Sequence, residues 1–455
     1  MSDAYYPRRR SLSGPFILIV LGMLFLLGNL HVIGWHSLGA LFARYWPVLL
    51  IVAGAIKLLE YYTSRRDESA AGMSAGGILL VILLVCFGLA ATAAYKVNWP
   101  AVSDETGVDP GDFMGGVFGN AYSFTHTVQQ SIPRGASLRV VSDRGDVTVN
   151  TWDGDEIKID VQKKVHAKDQ NEAQKMDEST QPLITLEGNN VTVNANTAGA
   201  GRGGVESDLQ IYLPKKAGVE VSTKHGDITV RDRIGDIKTS SLHGDMTVES
   251  VTGNVNLDSH RGSLHVKDII GDVSVAGRVD DSTISNVSGN LNLSGDFFGE
   301  MNLSKIGKGV TFRSSRTDME FGKLDGELTM ESGDLRAKSL FGPLRLATRS
   351  KDIHLDEVNG DIRLENSNGT VEVHINKPLG RVEISNSKGD VRLELPAQAS
   401  FQLEASTRSG DINNDFGLKV DSSNGSSRAS GSVGSGGPTL QITNQYGNVE
   451  IRKAG

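Results

Sequence analysis

A glycine returns every nine residues through the middle of this chain. From Gly226 the sequence reads GDITVRDRI, GDIKTSSLH, GDMTVESVT, GNVNLDSHR, GSLHVKDII, GDVSVAGRV, DDSTISNVS, GNLNLSGDF, with glycines at 226, 235, 244, 253, 262, 271 and 289 and Asp280 in the remaining slot. Apolar side chains follow two and four residues after the glycine: Ile228 and Val230, Met246 and Val248, Val255 and Leu257, Leu264 and Val266, Val273 and Val275. Alternation at period two is a strand with one buried face. Four or five strand residues at about 3.3 Å each, then a turn, fill such a unit. Glycine suits the corner, where φ is positive or the backbone is crowded.

A longer period is superimposed on the first. The residue before each glycine alternates between two series, His225, His243 and Arg261 in one and Ile234, Thr252 and Ile270 in the other. Two units therefore make one coil of about 18 residues, and coils stacked at about 4.8 Å bury a continuous core. The expected fold is an all-β single-stranded β-solenoid, a two-sheet β-helix. A second array carries the same corner at Gly333, Gly342, Lys351, Gly360 and Gly369, then at Gly380 and Gly389, and RVEISNSKGDVRLEL at 381–395 repeats the alternation. The less regular flanks, 126–220 and 396–455, are expected to cap edge strands that would otherwise invite pairing. The first contains a helix or loop insertion near 167–180. The second contains a Ser/Gly-rich run, DSSNGSSRASGSVGSGG, expected to be too polar to pack.

The first 100 residues have a different character. Residues 15–35 carry no formal charge, and two further apolar runs follow at 45–62 and 76–95. About 20 helical residues at 1.5 Å each cross a hydrocarbon core of about 30 Å. Three transmembrane helices are expected, with Lys57 and Glu60 near enough to an end to snorkel. Trp35, Tyr45, Trp46, Tyr61, Tyr62, Tyr95 and Trp99 fall at the ends of these runs, as an interfacial aromatic belt requires. Arg8, Arg9 and Arg10 precede the first run and Arg65 and Arg66 lie between the second and third, which assigns both flanks to the cytoplasm. Everything after Lys96 then lies outside. Cleavage as a signal peptide fits poorly with a 21-residue apolar run followed by two more. An interfacial middle helix would reverse the outer assignment. Residues 101–125, with five Gly and one Pro by residue 121, read as a flexible linker to a solenoid spanning 126–455.

Two resemblances cover most of the chain. RRRSLSGPFILIVLGMLFLLGNL followed by WPVLLIVAGAIKLLE resembles the LiaI/LiaF-like transmembrane region of bacterial envelope proteins. That resemblance implies a bacterial cytoplasmic (inner) membrane and a link to envelope-stress signalling. GDVTVNTWDGDEIKIDV at 145–161, DLQIYLPKKAGVEVSTKHGDITV at 208–230 and PTLQITNQYGNVEIRK at 438–453 resemble the bacterial putative-adhesin β-strand-repeat family, a domain of unknown function. It implies a single-stranded β-solenoid over about 330 residues and brings no catalytic residues with it.

Charge and motif content narrow the function. Eight basic and four acidic residues lie up to Lys96, leaving 38 basic against 50 acidic in the remainder. An acidic outer part with few aromatics offers no footprint for nucleic acid. The only cysteine, Cys86, lies in an apolar run, so disulfides and thiolate metal sites are excluded from the outer part.

Asp227, Asp236, Asp245, Asp272, Asp334, Asp361, Asp390 and Asp411 follow corner positions. They form either Ca²⁺-binding ladders or caps on corner backbone N–H groups. An 18-residue coil aligns Asp227, Asp245, Ser263 and Asp281 in one column and Asp236, Asn254, Asp272 and Asn290 in the other, and the neutral members favour capping. The calcium-binding GGxGxD repeat is absent. His225 and His243 stack one coil apart, with His260 and His265 near the following corner, but a structural Zn²⁺ site needs four ligands and no Cys is available, so an exposed polar column is expected. Arg144-Gly145-Asp146 spells an integrin-type tripeptide inside a strand-opening GDVTV, where the corner explains it.

No GxSxG, HExxH, Walker or Rossmann string occurs in a fitting context. The expected protein is therefore not an enzyme and has no catalytic, cofactor or metal site. It is a multi-pass envelope protein presenting its solenoid for adhesion, partner binding or stress sensing. Its partners are the lipid bilayer and an envelope protein or glycan, with self-association through the solenoid ends as a further expectation. The alternative is a polysaccharide-active enzyme on the same β-helix, against which stand loops too short for a deep cleft and a single tryptophan, Trp152, beyond Trp99.

Overall fold

The computed structural model describes residue 85 and residues 120–167, 169–197 and 204–454. The chain divides into two units, Met1–Val108 and Asp109–Gly455, and every described strand belongs to the second. Apart from Val85, the expected spans at 15–35, 45–62 and 76–95 lie outside the described residues. Among the described residues no helix is long and apolar enough to cross a membrane. The described chain is almost wholly β, with 32 strands in one hydrogen-bonded network and one helix.

The nine-residue units are strands, and their pairing follows the 18-residue coil. Val219, Ile237, Val255, Val273 and Leu291 stand in direct parallel register in one sheet. Ile228, Met246, Leu264 and Ser282 do so in the other. The side chains two and four residues after each corner glycine, Ile228 and Val230 to Val273 and Val275, are at most 2% exposed. Each pair of strands contributes one slice of a single core running from Ala136 to Ile451.

The corner glycines are required by stacking as well as by φ. Gly244 sits at φ +143°, and a Cβ there would lie under 3.0 Å from the carbonyl oxygen of Gly226 one coil away. A third bend occupies each coil, between the two glycine corners. Asp232, Ser250, Asp268 and Asn286 all take φ between 56° and 58°, turning the strand so that Arg233, Val251, Ile269 and Val287 point inward. Polar Asp, Ser and Asn recurring six residues after the corner were the signal for this bend, since Asn and Asp tolerate the left-handed region best.

Between the two arrays both sheets reverse at the same level. Val310–Arg313 pairs antiparallel with Thr317–Phe321, and Met301–Ile306 pairs antiparallel with Lys323–Met330. Parallel stacking resumes with Asp334–Lys338 on Asp352–Asn366 and Leu344–Thr348 on the same long strand.

The two flanks clasp rather than merely cover. Ser137–Arg144 and Val147–Thr151 lie between coils formed by later chain, Leu138 facing both Val191 and Val219, and Val147 facing both Leu209 and Ile228. At the other end Thr439–Tyr446 and Val449–Lys453 slot between earlier coils. Leu440 faces both Val382 and Leu403, and Val449 faces both Val391 and Ile412. Both ends of the repeat chain are thus interior strands.

Two local expectations need correction. Strand Asn120–Ser131 starts inside the stretch read as linker, because Tyr122, Phe124, His126 and Val128 alternate and the strand pairs along its length with Glu156–Ala167. The Ser/Gly-rich run also packs. Val420–Ser423 and Ser426–Val433 form a hairpin around Asn424-Gly425, both at positive φ, and Ser426–Val433 pairs with Phe401–Ser409. Its small side chains let Ser427 and Ala429 enter the core at 3% and 1% exposure, and the Asn-Gly turn signal was visible in the sequence.

Candidate binding groove

The aspartate columns are backbone caps. Asp227 Oδ1 accepts from the amide of Asp245 at 2.8 Å, and Asp245 Oδ1 accepts from that of Ser263 at 2.7 Å. In the second column Asp236 caps Asn254, Asn254 caps Asp272 and Asp272 caps Asn290, at 2.7–3.1 Å. Asp352, Asp361 and Asp390 repeat the bond to Thr370, Arg381 and Asn448. An amide N–H left over where the strand leaves the corner receives an acceptor from the neighbouring coil, so Asn and Asp serve equally. Burial, with Asp146 and Asp245 on either side, pushes the Asp227 carboxyl above the usual range despite the amide it accepts from.

The other candidates resolve individually. Arg144-Gly145-Asp146 is a corner in which Asp146 takes the Asp227 amide at 2.8 Å. His225 and His243 stack face to face, ring centroids 5.0 Å apart. His265 lies 3.4 Å from Glu249, and the amide of His260 donates to the Ser241 carbonyl. Among the described residues no three His, Cys, Asp or Glu side chains converge as metal ligands. Trp152 donates its indole N–H to the Glu156 carbonyl at 2.7 Å.

Two buried charges were not foreseen. Arg233 replaces an apolar member of its column at 0% exposure, donating to the carbonyls of Leu213 and Pro214 and to Thr151 Oγ1. Burial lowers its pKa to about 10. Lys163 is buried under the helix Gln170–Ser179, which Asp169 caps through the amide of Glu172. Its ammonium reaches Asp177 Oδ1 at 2.9 Å, and His126 Nε2 holds the same carboxylate at 2.9 Å. This cluster pins the helix to strands Asn120–Ser131 and Glu156–Ala167, joining three elements through one buried carboxylate.

The concavity with convergent polar groups lies where the arrays meet. It has a volume of about 480 Å³, and its wall includes Phe321, Gly322, Pro343 and Leu344. Its charged rim is Glu320, Arg345, Asp361, Arg363, Arg381 and Glu383. The reversal creates it, because Thr317–Phe321 is antiparallel to both neighbours and glycines hold the adjoining corners. Glu320, Arg345, Arg363 and Glu383 form one outward row in direct register. Arg363 donates twice to Glu365 Oε1, at 2.9 and 3.1 Å. Arg381 receives the Asp361 cap on its own amide, which leaves its side chain on the rim.

Comparison with known proteins follows the same division of the chain. Residues 135–452 match the Toastrack DUF4097 family, and residues 13–103 match the LiaF transmembrane domain. No curated protein matches. Solved structures similar to this chain include a putative cell adhesion protein from Clostridium sporogenes, at 10% identity over 74% of this chain and 100% of the other, TM-score 0.16. A putative adhesin from Bacteroides fragilis has 10% identity over 73% and 97%, TM-score 0.22. A putative lipid binding protein from Parabacteroides distasonis has 8% identity over 74% and 98%, TM-score 0.20.

Proposed function

The chain belongs to the Toastrack DUF4097 family and carries a LiaF transmembrane domain, and from that premise we propose that it is a non-enzymatic envelope protein that presents its solenoid to a partner. The observation that carries this reading is the employment of the corner carboxylates. Of the residues that would furnish acid–base or metal chemistry on a β-helix, Asp227, Asp236, Asp245, Asp272, Asp361 and Asp390 instead accept backbone amides from the next coil, and Asp334 takes the Arg336 guanidinium. What remains toward solvent is a long, regular surface of threonine, asparagine and short-range ion pairs, which suits recognition more than turnover.

In this reading the apolar runs at 15–35, 45–62 and 76–95 span the bacterial inner membrane, Arg8–Arg10 and Arg65–Arg66 stay in the cytoplasm, and the solenoid lies outside. Adhesion and envelope-stress reporting are two uses of one tethered surface. Crosslinking of intact cells followed by capture of the full chain tests it, and the expected result is a defined envelope protein or glycan. Capture of nothing above a membrane-protein control, or polysaccharide cleavage that disappears on changing one corner aspartate, would overturn it.

A further inference from the structure

We propose that the groove at the array junction is an oxyanion site that takes a single phosphate group, borne by an envelope polymer or a lipid headgroup. This deepens the partner-binding reading. Arg345 and Arg363 face each other in direct register on adjacent parallel strands. Like charges so placed are unfavourable. Other arginines and lysines on the solenoid face acidic partners: Lys238 meets Glu220 at 3.1 Å, Arg231 meets Glu249 at 2.8 Å, and Arg392 lies between Glu372 and Glu450. Among the registered strand pairs of the described residues, Arg345 opposite Arg363 is the one place where two arginine or lysine side chains oppose each other.

The cations are also underused. Among the described residues the guanidinium groups of Arg345 and Arg381 enter no hydrogen bond or ion pair, whereas Arg363 gives two donors to Glu365. Guanidinium forks match phosphate oxygens in pairs, and three of them rim one concavity.

The corner sequence explains why the site falls here. One coil before Asp361 the corresponding residue is Pro343, which has no N–H to cap, and one coil after it is Arg381 rather than Asp or Asn. The aspartate ladder therefore lapses at this level, and arginine takes its place on the rim. Glu320, Asp361 and Glu383 share that rim. They limit the favourable position to the space among the arginines, so the groove has room for one phosphate group at a time.

The test uses the full chain in detergent at low salt, titrated with inorganic phosphate by calorimetry. Saturable binding is expected, weakened at least about tenfold by Arg345→Gln with Arg381→Gln, the loss that goes with about one charged hydrogen bond. Lys419→Gln, remote from the groove and paired with Asp421, should leave binding unchanged. Competition by a soluble glycerol phosphate oligomer identifies a polymer as the source, and competition by phosphatidylglycerol added to the micelles identifies a lipid. Competition by neither overturns the proposal, as does equal phosphate binding by the double variant.

Thermal unfolding separates ligand binding from a structural role. Without phosphate, Arg345→Gln should melt close to the wild-type temperature because the like-charge contact with Arg363 and the opposite-charge contact with Glu320 are removed together, and a clear drop in the double variant would make these arginines structural and sink the site. Loss of phosphate binding with the crosslinked partner retained removes only the groove. Phosphate binding without any captured partner removes only the partner reading.

Discussion

Alanine at Gly244 should be far more damaging than alanine at Gly135, although both glycines have positive φ. At Gly135, φ +74°, a Cβ meets nothing within 4 Å, so the cost is the left-handed conformation alone, about 1–2 kcal/mol. At Gly244, φ +143°, the same strain is joined by a Cβ under 3.0 Å from the Gly226 carbonyl oxygen. The backbone must yield there, and with it the bonds that lock the coils together: Gly244 N–H to the Arg261 carbonyl at 3.1 Å and the Asp245 amide to Asp227 at 2.8 Å. Losing two such bonds costs about 1–3 kcal/mol, for a total near 2–5 kcal/mol. In a stacked repeat the damage stays close to the site. Hydrogen exchange read by mass spectrometry on the full chain should show amides of residues 237–252 exchanging at least about 30-fold faster in Gly244→Ala, with the second array unchanged. Equal exchange in the Gly244 and Gly135 variants would refute the claim that close coil-to-coil approach makes the corner glycine necessary.

Other consequences follow from the charged groups and the clasped ends. Asp227→Asn keeps the acceptor for Asp245 and removes a carboxylate that burial and its neighbours push upward. Because protonation is favoured in the folded state, wild-type stability falls as pH rises through the raised value. The variant should therefore be more stable at neutral pH, with the difference vanishing in strong acid; a destabilised variant at pH 7 would contradict this. Asp177→Ala strands the buried Lys163 ammonium and should cost about 3–5 kcal/mol by denaturant titration, most of it recovered when Lys163→Met is added. A single-variant loss below about 1 kcal/mol would show the cluster to be dispensable. Removing residues 439–455 takes out an interior coil and bares the edges of Val371–Lys388 and Phe401–Ser409, so light scattering should report aggregation of the truncated chain. A monodisperse truncation product would speak against the clasp.

The periodic part of the fold was legible because one physical rule, alternation with a crowded corner, repeats at every unit. Ile228 and Val230 predict Met246 and Val248, and a strand that buries one face can do so only against another coil. The columns from Asp227 and Asp236 follow from the same period, and so does their capping role once Asn254 and Asn290 are seen to share it. Features set by a single event were not legible. The reversal at 313–317 breaks the period, and nothing local says that both sheets turn together. The clasped ends depend on which distant strands meet, as Leu440 meets Val382 and Leu403. Lys163 looks like any alternating polar residue until the helix that buries it is placed. The groove needs Arg345 and Arg363, 18 residues apart, to be recognised as neighbours, which the coil length implies, and Glu320 to arrive from the antiparallel side, which it does not.

The central claim is that residues 18 apart in the array are neighbours in adjacent coils, and disulfide trapping tests it most directly. In a Cys86→Ser background, Asn256→Cys with Ser274→Cys places two outward thiols in direct parallel register. Adjacent strands about 4.8 Å apart fall within the span a disulfide accepts. Asn256→Cys with Asn292→Cys leaves two coil spacings between them, about 9.6 Å, beyond that span. Mild oxidation of the full chain should close the first pair within a single molecule and leave the second reduced; an open first pair or an equally ready second pair would contradict the stacked-coil account.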